Sequence, residues 1–175
     1  MRRLAFATTV IGAAALCSIS AQTADAPARP AQPLAQKRSV SMEAALAIAR
    51  VALKAGLDRG SDVAVVVVDQ AGIPLVLLRA DNGTEQFIEG ATQKAWTSVN
   101  FRASTRELFE DIKRGKEDFS QLPHVPKALF LMGGVPLKDG DRVVGGLGVA
   151  GAVSGLEDDV IAQQAALEFA KLLKK

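Results

Sequence analysis

Few side chains in this sequence can do chemistry. Among 175 residues there is one histidine, His124, one cysteine, Cys17, and no tyrosine. A structural zinc site needs about four nitrogen or sulfur ligands, which the chain cannot supply. A serine triad would have to recruit His124, and no Gly-x-Ser-x-Gly elbow accompanies it. His124 sits between Pro123 and Pro126, where an imidazole held in place could ligate a metal, iron included; a solvated loop histidine is the plainer reading. Arg79 and Lys94 are candidate clamps for a carboxylated ligand, or ordinary charges on a strand end and a helix. Phe87, Trp96, Phe101 and Phe130 could line an apolar pocket, or simply pack a core. Asp158-Asp159 resembles a pair of catalytic carboxylates, but acids in the first turn of a helix explain them more simply.

The densest signal is glycine. Gly133 and Gly134 are followed by Gly145, Gly146, Gly148 and Gly151 within one apolar stretch. Several glycines in a strand point to a close approach to its backbone, and a glycine-lined strand running into a capped helix is a plausible pocket wall. Gly146-Leu-Gly148-Val-Ala-Gly151 matches the dinucleotide fingerprint as a string. It follows a hairpin rather than opening a βαβ unit, so no nicotinamide cofactor is expected. No Gly-Lys-Ser/Thr follows, so no P-loop is expected either.

The elements that must position these residues follow from periodicity and punctuation. A helix is expected over 41–56, with Leu46, Ala49, Leu53 and Leu57 on its buried face. Val63–Val68 reads as a strand covered on both faces, Asp69-Gln-Ala-Gly72 as a hairpin turn, and Pro74–Arg79 as the returning strand. A second helix is expected from Glu85 to Phe101. Ser104-Thr-Arg-Glu107 matches a capping box and opens a short helix through Ile112. Strands are expected at 128–132, 135–137 and 143–149, with Asp139-Gly140 as the turn between the last two. A helix from about Leu156 to Leu173 closes the chain, with Val160, Ala165 or Ala166, Leu167, Ala170 and Leu173 turned inward. Two hairpins and covering helices give an α+β fold with an antiparallel sheet of about five strands.

Before that domain, Arg2, Arg3 and the apolar run 4–16 read as a secretory signal peptide over 1–21, with cleavage between Ala21 and Ala26. Residues 22–39, rich in Ala, Pro and Gln, read as a linker, and 40–175 as the folded domain. Cys17 would leave with the leader, and lipidation on it is a weak alternative. Without Arg2 and Arg3, the 21 basic groups become 19 against 19 acidic ones. A near-neutral product with no basic stripe is not expected to bind nucleic acid, or a membrane once the leader is gone.

A set of motifs, in order, resembles the GlcG/HbpS-like haem-binding family. They are Asp69-x-x-Gly72 with Leu75-x-x-x-Arg79; Gln93-Lys-Ala-x-Thr97; Phe101-x-x-x-Thr105-x-Glu-Leu108; Leu129-Phe-Leu-x-Gly-Gly-Val-Pro-Leu137; and Val144-Gly-Gly-Leu-Gly-Val-Ala-Gly151, with Asp158-Asp159 beyond. The resemblance spans roughly Val40 to Leu173. Two departures are Ala150, where the family commonly has serine, and Ser98, where alanine often stands. The resemblance implies a profilin-like or PAS-like α/β sandwich, homo-oligomers that are often octamers, and binding of haem or a related tetrapyrrole. It places Thr105 and His124 as candidates near the iron, Arg79 and Lys94 near the propionates, and Gly133, Gly134 and Gly148 along the wall. It carries over no catalytic residues, and haem degradation enters only through the family's name.

The expectation is therefore an exported, periplasmic protein that buffers, carries or senses haem. One alternative is an enzyme or accessory factor for a small carboxylic acid such as glycolate, held by Arg79 and Lys94. Another is a structural oligomer without a small ligand.

Overall fold

The structure, a computed structural model, describes residues 37–116, 121 and 124–174. The expected leader (1–21) and most of the expected linker (22–39) lie outside the described residues. Ser39 and Val40 already hydrogen-bond to Val144. The Val40 amide donates to the Val144 carbonyl at 2.8 Å, and the Ser39 hydroxyl donates to the same carbonyl at 3.2 Å.

The order is α1 (Met42–Leu57), β1 (Ala64–Asp69), β2 (Pro74–Arg79), α2 (Glu85–Phe101), α3 (Thr105–Lys113), β3 (Gly134–Asp139), β4 (Arg142–Ala150) and α4 (Gly155–Leu172). The sheet runs β2-β1-β4-β3, and every neighbouring pair is antiparallel. Among the described residues no helix is long and apolar enough to cross a membrane.

Local chemistry accounts for most boundaries. Ser41 caps α1 by accepting from the Ala44 amide at 3.2 Å. The β1–β2 turn is held by Asp69, whose Oδ1 accepts from the amides of Ala71 (2.8 Å) and Ile73 (2.9 Å). The Ser104–Glu107 capping box forms with both arms. Ser154 caps α4 by accepting from the Glu157 amide at 3.2 Å.

The sheet is covered on both faces. One apolar cluster joins Val63, Val65, Val67, Leu137, Leu147 and Val149 to α1 and α4. The other joins Ala64, Val66 and Val68 to Ala91, Ala95 and Val99 of α2. Residues 63–68 are consequently all buried, as their uninterrupted apolar run requires.

Three expectations need correction. The sheet has four strands rather than five, because 128–132 forms no ladder. That segment lies on α2 instead: the Leu129 amide donates to the Thr97 hydroxyl at 2.9 Å, and Phe130 meets Phe101 edge-on at 5.5 Å. The buried face of α1 is made of Ala45, Ile48, Ala49, Ala52 and Ala55, while Leu57 is 51% exposed. Small side chains let the helix settle close to the sheet, and the larger leucines are pushed to its flanks. In α4 the core side is Ile161, Ala162, Ala165 and Phe169. Val160, Leu167 and Leu173, expected inside, are 45%, 65% and 49% exposed.

Candidate functional site

The site is built around α2, which lies directly on a row of glycines. In the antiparallel register Gly134 faces Gly148 and Pro136 faces Gly146 across β3 and β4, so Gly134, Gly148 and Gly146 present bare backbone to one face. The helix answers with Ala91 and Ala95, both fully buried. A Cβ on Gly148 would overlap the Ala91 carbonyl oxygen and come within 2.6 Å of the Ala95 amide nitrogen. On Gly134 it would overlap the Lys94 carbonyl oxygen and reach Thr105 Cγ2 at 2.6 Å. The room that the missing side chains leave is filled by the chain's own helix. The expectation that Gly133, Gly134 and Gly148 line a wall open to a flat guest is corrected on that ground.

Lys94 is the second correction. It is 3% exposed, and its Nζ donates to Asp158 Oδ2 at 2.7 Å and to the Val149 carbonyl at 2.9 Å. Asp158 Oδ1 accepts from the Ala152 amide at 2.9 Å. Gly133 (φ +115°) fits between these groups, since a Cβ there would lie 3.2 Å from Lys94 Nζ and 2.7 Å from Asp158 Cβ. One ion pair thus ties α2, the end of β4 and the start of α4 together. Burial pushes the Asp158 carboxyl above its ordinary range, outweighing the downward pull of the Lys94 ammonium and the Ala152 amide. Asp158 was missed as a partner. A lysine on the face that also carries Ala91 and Ala95 needs a buried acid, but nothing local says which one.

Thr105 is fully buried beside this knot. Its hydroxyl accepts from the Gly134 amide at 2.8 Å, so it serves β3 and presents no open face to a metal. Asp159 is also buried. Its Oδ2 accepts from Arg106 at 3.3 Å, and its Oδ1 has no partner among the described residues. Arg79 lies apart from the knot: it is exposed, and its guanidinium donates to the carbonyls of Asp81 (2.9 Å) and Gly83 (2.5 Å), bracing the turn after β2. His124 is exposed on the loop before Lys127. Lys94, Thr105, Gly133, Gly134 and Gly148 therefore come together in packing, with Lys94 also bordering the cleft on the outer side of α2, while Arg79 and His124 stay outside.

Open space lies on the outer side of α2. A cleft of about 390 Å³ separates Phe87, Gly90 and Gln93 from Leu129, Leu131 and Ala150. A second hollow of about 380 Å³ holds Trp96, Thr92, Pro74 and Lys127. The two share Glu89 and Gln93, so they open along one exposed strip of the helix. The volumes fall in the lower part of the ~300–1,000 Å³ range of small-molecule sites. Leu131, 53% exposed, gives the cleft an apolar lip. Of the aromatic residues singled out from sequence, Phe87 and Trp96 face this space, whereas Phe101 and Phe130 pair with each other. Among the described residues no group of three or more His, Cys, Asp or Glu side chains could hold a bare metal ion.

An antiparallel sheet sandwiched between one helix and a helical pair defines an α+β domain of the expected class. The chain belongs to the HbpS-like family: the family model, described as haem degrading protein HbpS-like, matches residues 40–167. Among solved structures it is similar to a double mutant of Streptomyces reticuli HbpS, with 37% identity, a TM-score of 0.74, and coverage of 83% of this chain and 97% of that one. It is also similar to the protein in a PduOC:heme complex, at 28% identity and TM-score 0.66 over 74% and 94% of the two chains. A Citrobacter freundii relative, an uncharacterized 15.0 kDa protein in the dhaT-dhaS intergenic region, is 25% identical over 76% of this chain and 93% of its own length.

Proposed function

We propose that this protein binds haem or a closely related tetrapyrrole, and that it does so as an exported, periplasmic protein that buffers, carries or senses the ligand. The observation that carries the reading is the family match over 40–167, joined to similarity with a protein solved as a haem complex. The α2 cleft supplies a surface of suitable chemistry. Phe87, Leu129 and Leu131 offer apolar area to a flat macrocycle, Gln86 and Gln93 offer amides at its edge, and Lys127 in the adjoining hollow offers a cation for a propionate. His124 is the chain's one imidazole, it is exposed, and it lies three residues before Lys127; it is the side chain best suited to hold the iron. Bound haem would supply an iron centre for ligand exchange or redox sensing. The protein's part is to hold the ring and set its polarity.

The small-acid alternative loses both of its clamps. The Lys94 ammonium is spent on Asp158 and Val149, and the Arg79 guanidinium on two backbone carbonyls.

An absorbance titration of haem into the purified protein tests the proposal. A saturable shift of the Soret band is expected. His124→Ala should change the spectrum of the complex, and Leu131→Glu should weaken binding by tenfold or more. A spectrum identical to that of free haem at every ratio rules the proposal out.

A further inference from the structure

Two charges border the open strip of α2, and the described fold uses neither. Glu89 and Gln93 are four residues apart, so they stand on one face of the helix, and both line the cleft and the hollow beside it. Glu89 is exposed and Gln93 half-buried. Lys127 borders the same hollow from the loop before β3 and is also exposed. Neither Glu89 nor Lys127 makes an ion pair with a described residue. The remaining charge on the strip, Lys94, is buried against Asp158. The hollow is shaped by the fold itself. Gly72 packs against the Trp96 indole, where a Cβ would lie 3.0 Å from Cδ1, and Lys127 is held at φ +70°, a conformation that persists only where the surroundings impose it.

We propose that Glu89 is a specificity-determining residue of the α2 site: its unpaired carboxylate stands between the two spaces and opposes the carboxylates of a bound tetrapyrrole, while Lys127 draws them. The inference rests on the tetrapyrrole reading above and adds the residue that limits affinity. A ring laid on Phe87, Leu129 and Leu131 must bring its carboxylate edge past Glu89 to reach Lys127, because Glu89 borders both spaces. A carboxylate at that position can only accept hydrogen bonds, so it offers a propionate nothing but repulsion, whereas an amide there could donate to it. Both charges are exposed, so each carries the small weight of a solvent-screened contact, about two- to fivefold in affinity. The ligand is then held by apolar area and loosened by Glu89, which suits exchange rather than trapping. The same charges set the ligand class. A macrocycle whose acid groups are esterified feels neither Glu89 nor Lys127, so the site distinguishes tetrapyrroles by their carboxylates.

Haem titrations followed at the Soret band test this on the wild type and three variants. Glu89→Gln should bind haem about two- to fivefold tighter than the wild type. It should fold as well, since glutamine and glutamate are similar helix formers and no described ion pair is lost. Glu89→Asp keeps the charge and should match the wild type. Lys127→Asn should weaken binding by a similar factor, and asparagine tolerates the φ of +70°. Raising the salt from about 50 mM to about 500 mM should shrink both differences, because exposed charges are screened. Haem dimethyl ester should not distinguish the wild type from Glu89→Gln. Binding by Glu89→Gln that is no tighter than wild type, an equal gain in Glu89→Asp, undiminished affinity in Lys127→Asn, or a gain that survives high salt or extends to the ester would each overturn the proposal and leave the haem reading standing. A wild type that gives no Soret shift overturns both.

Discussion

Lys94 and Asp158 show how one buried pair can fix several segments at once. Removing one partner of such a pair commonly costs about 3–5 kcal/mol, because the other charge is left without compensation. Lys94→Met is therefore expected to lose stability of that order at neutral pH. The pH dependence follows from the direction of the Asp158 shift. Its folded carboxyl holds a proton to higher pH than the ordinary value of 3.8. Its contribution to stability is thus fully present below 3.8 and declines as pH rises through the higher folded value. With the cation gone the carboxyl is easier still to protonate, so the Lys94→Met deficit should shrink on acidification. Urea unfolding at pH 5 and pH 7.5 checks this, and a deficit that grows on acidification would contradict it. The sequence showed a lysine beside Ala91 and Ala95 but not its counter-ion, which lies 64 residues further on. Reading Asp158 as first-turn charge was correct in position, yet its side chain is turned into the core.

At the scale of elements, the decisive contact is between α2 and β4. It depends on an absence of side chains, so its glycines read equally well as a pocket wall or as a docking strip. Only the helix opposite them settles which. Gly148→Val should therefore be far worse than a loop change. Overpacking typically costs about 1–3 kcal/mol, and here the obstacle is the helix backbone at Ala91, so the upper end or failure to fold is expected. Gly115→Asn serves as the comparison, because Gly115 has open space around it and a φ of +69° that asparagine tolerates. Equal melting temperatures for the two variants would refute the packing account. Helix α4 shows the complementary difficulty. Its two apolar faces differ by a rotation that periodicity cannot resolve: of the residues expected inside, Ala165 is buried, whereas Val160, Leu167, Ala170 and Leu173 are exposed. By contrast, the β1–β2 hairpin, α2 and the α3 capping box were legible because their signals are local: a valine run, Asp69-x-x-Gly72, and Ser104 three residues before Glu107.

For the whole molecule, helices pack on both faces of the sheet, and two hollows open along α2. A ligand held on α2 touches only the folded state. Haem at 100 times its dissociation constant should thus stabilise the fold by about 2.7 kcal/mol. Calorimetric melts with and without haem read this directly, and an unmoved melting temperature at saturating ligand would argue against specific binding to the native state. The two borders of the sheet are unlike each other. Pro136 sits inside β3, where it removes an amide from that border, whereas β2 has its proline only at the first position and carries Leu77 at 46% exposure. Strand addition between misfolded neighbours is hindered on one side and open on the other, so any cross-chain ladder would grow in one direction, outward from Pro74–Arg79.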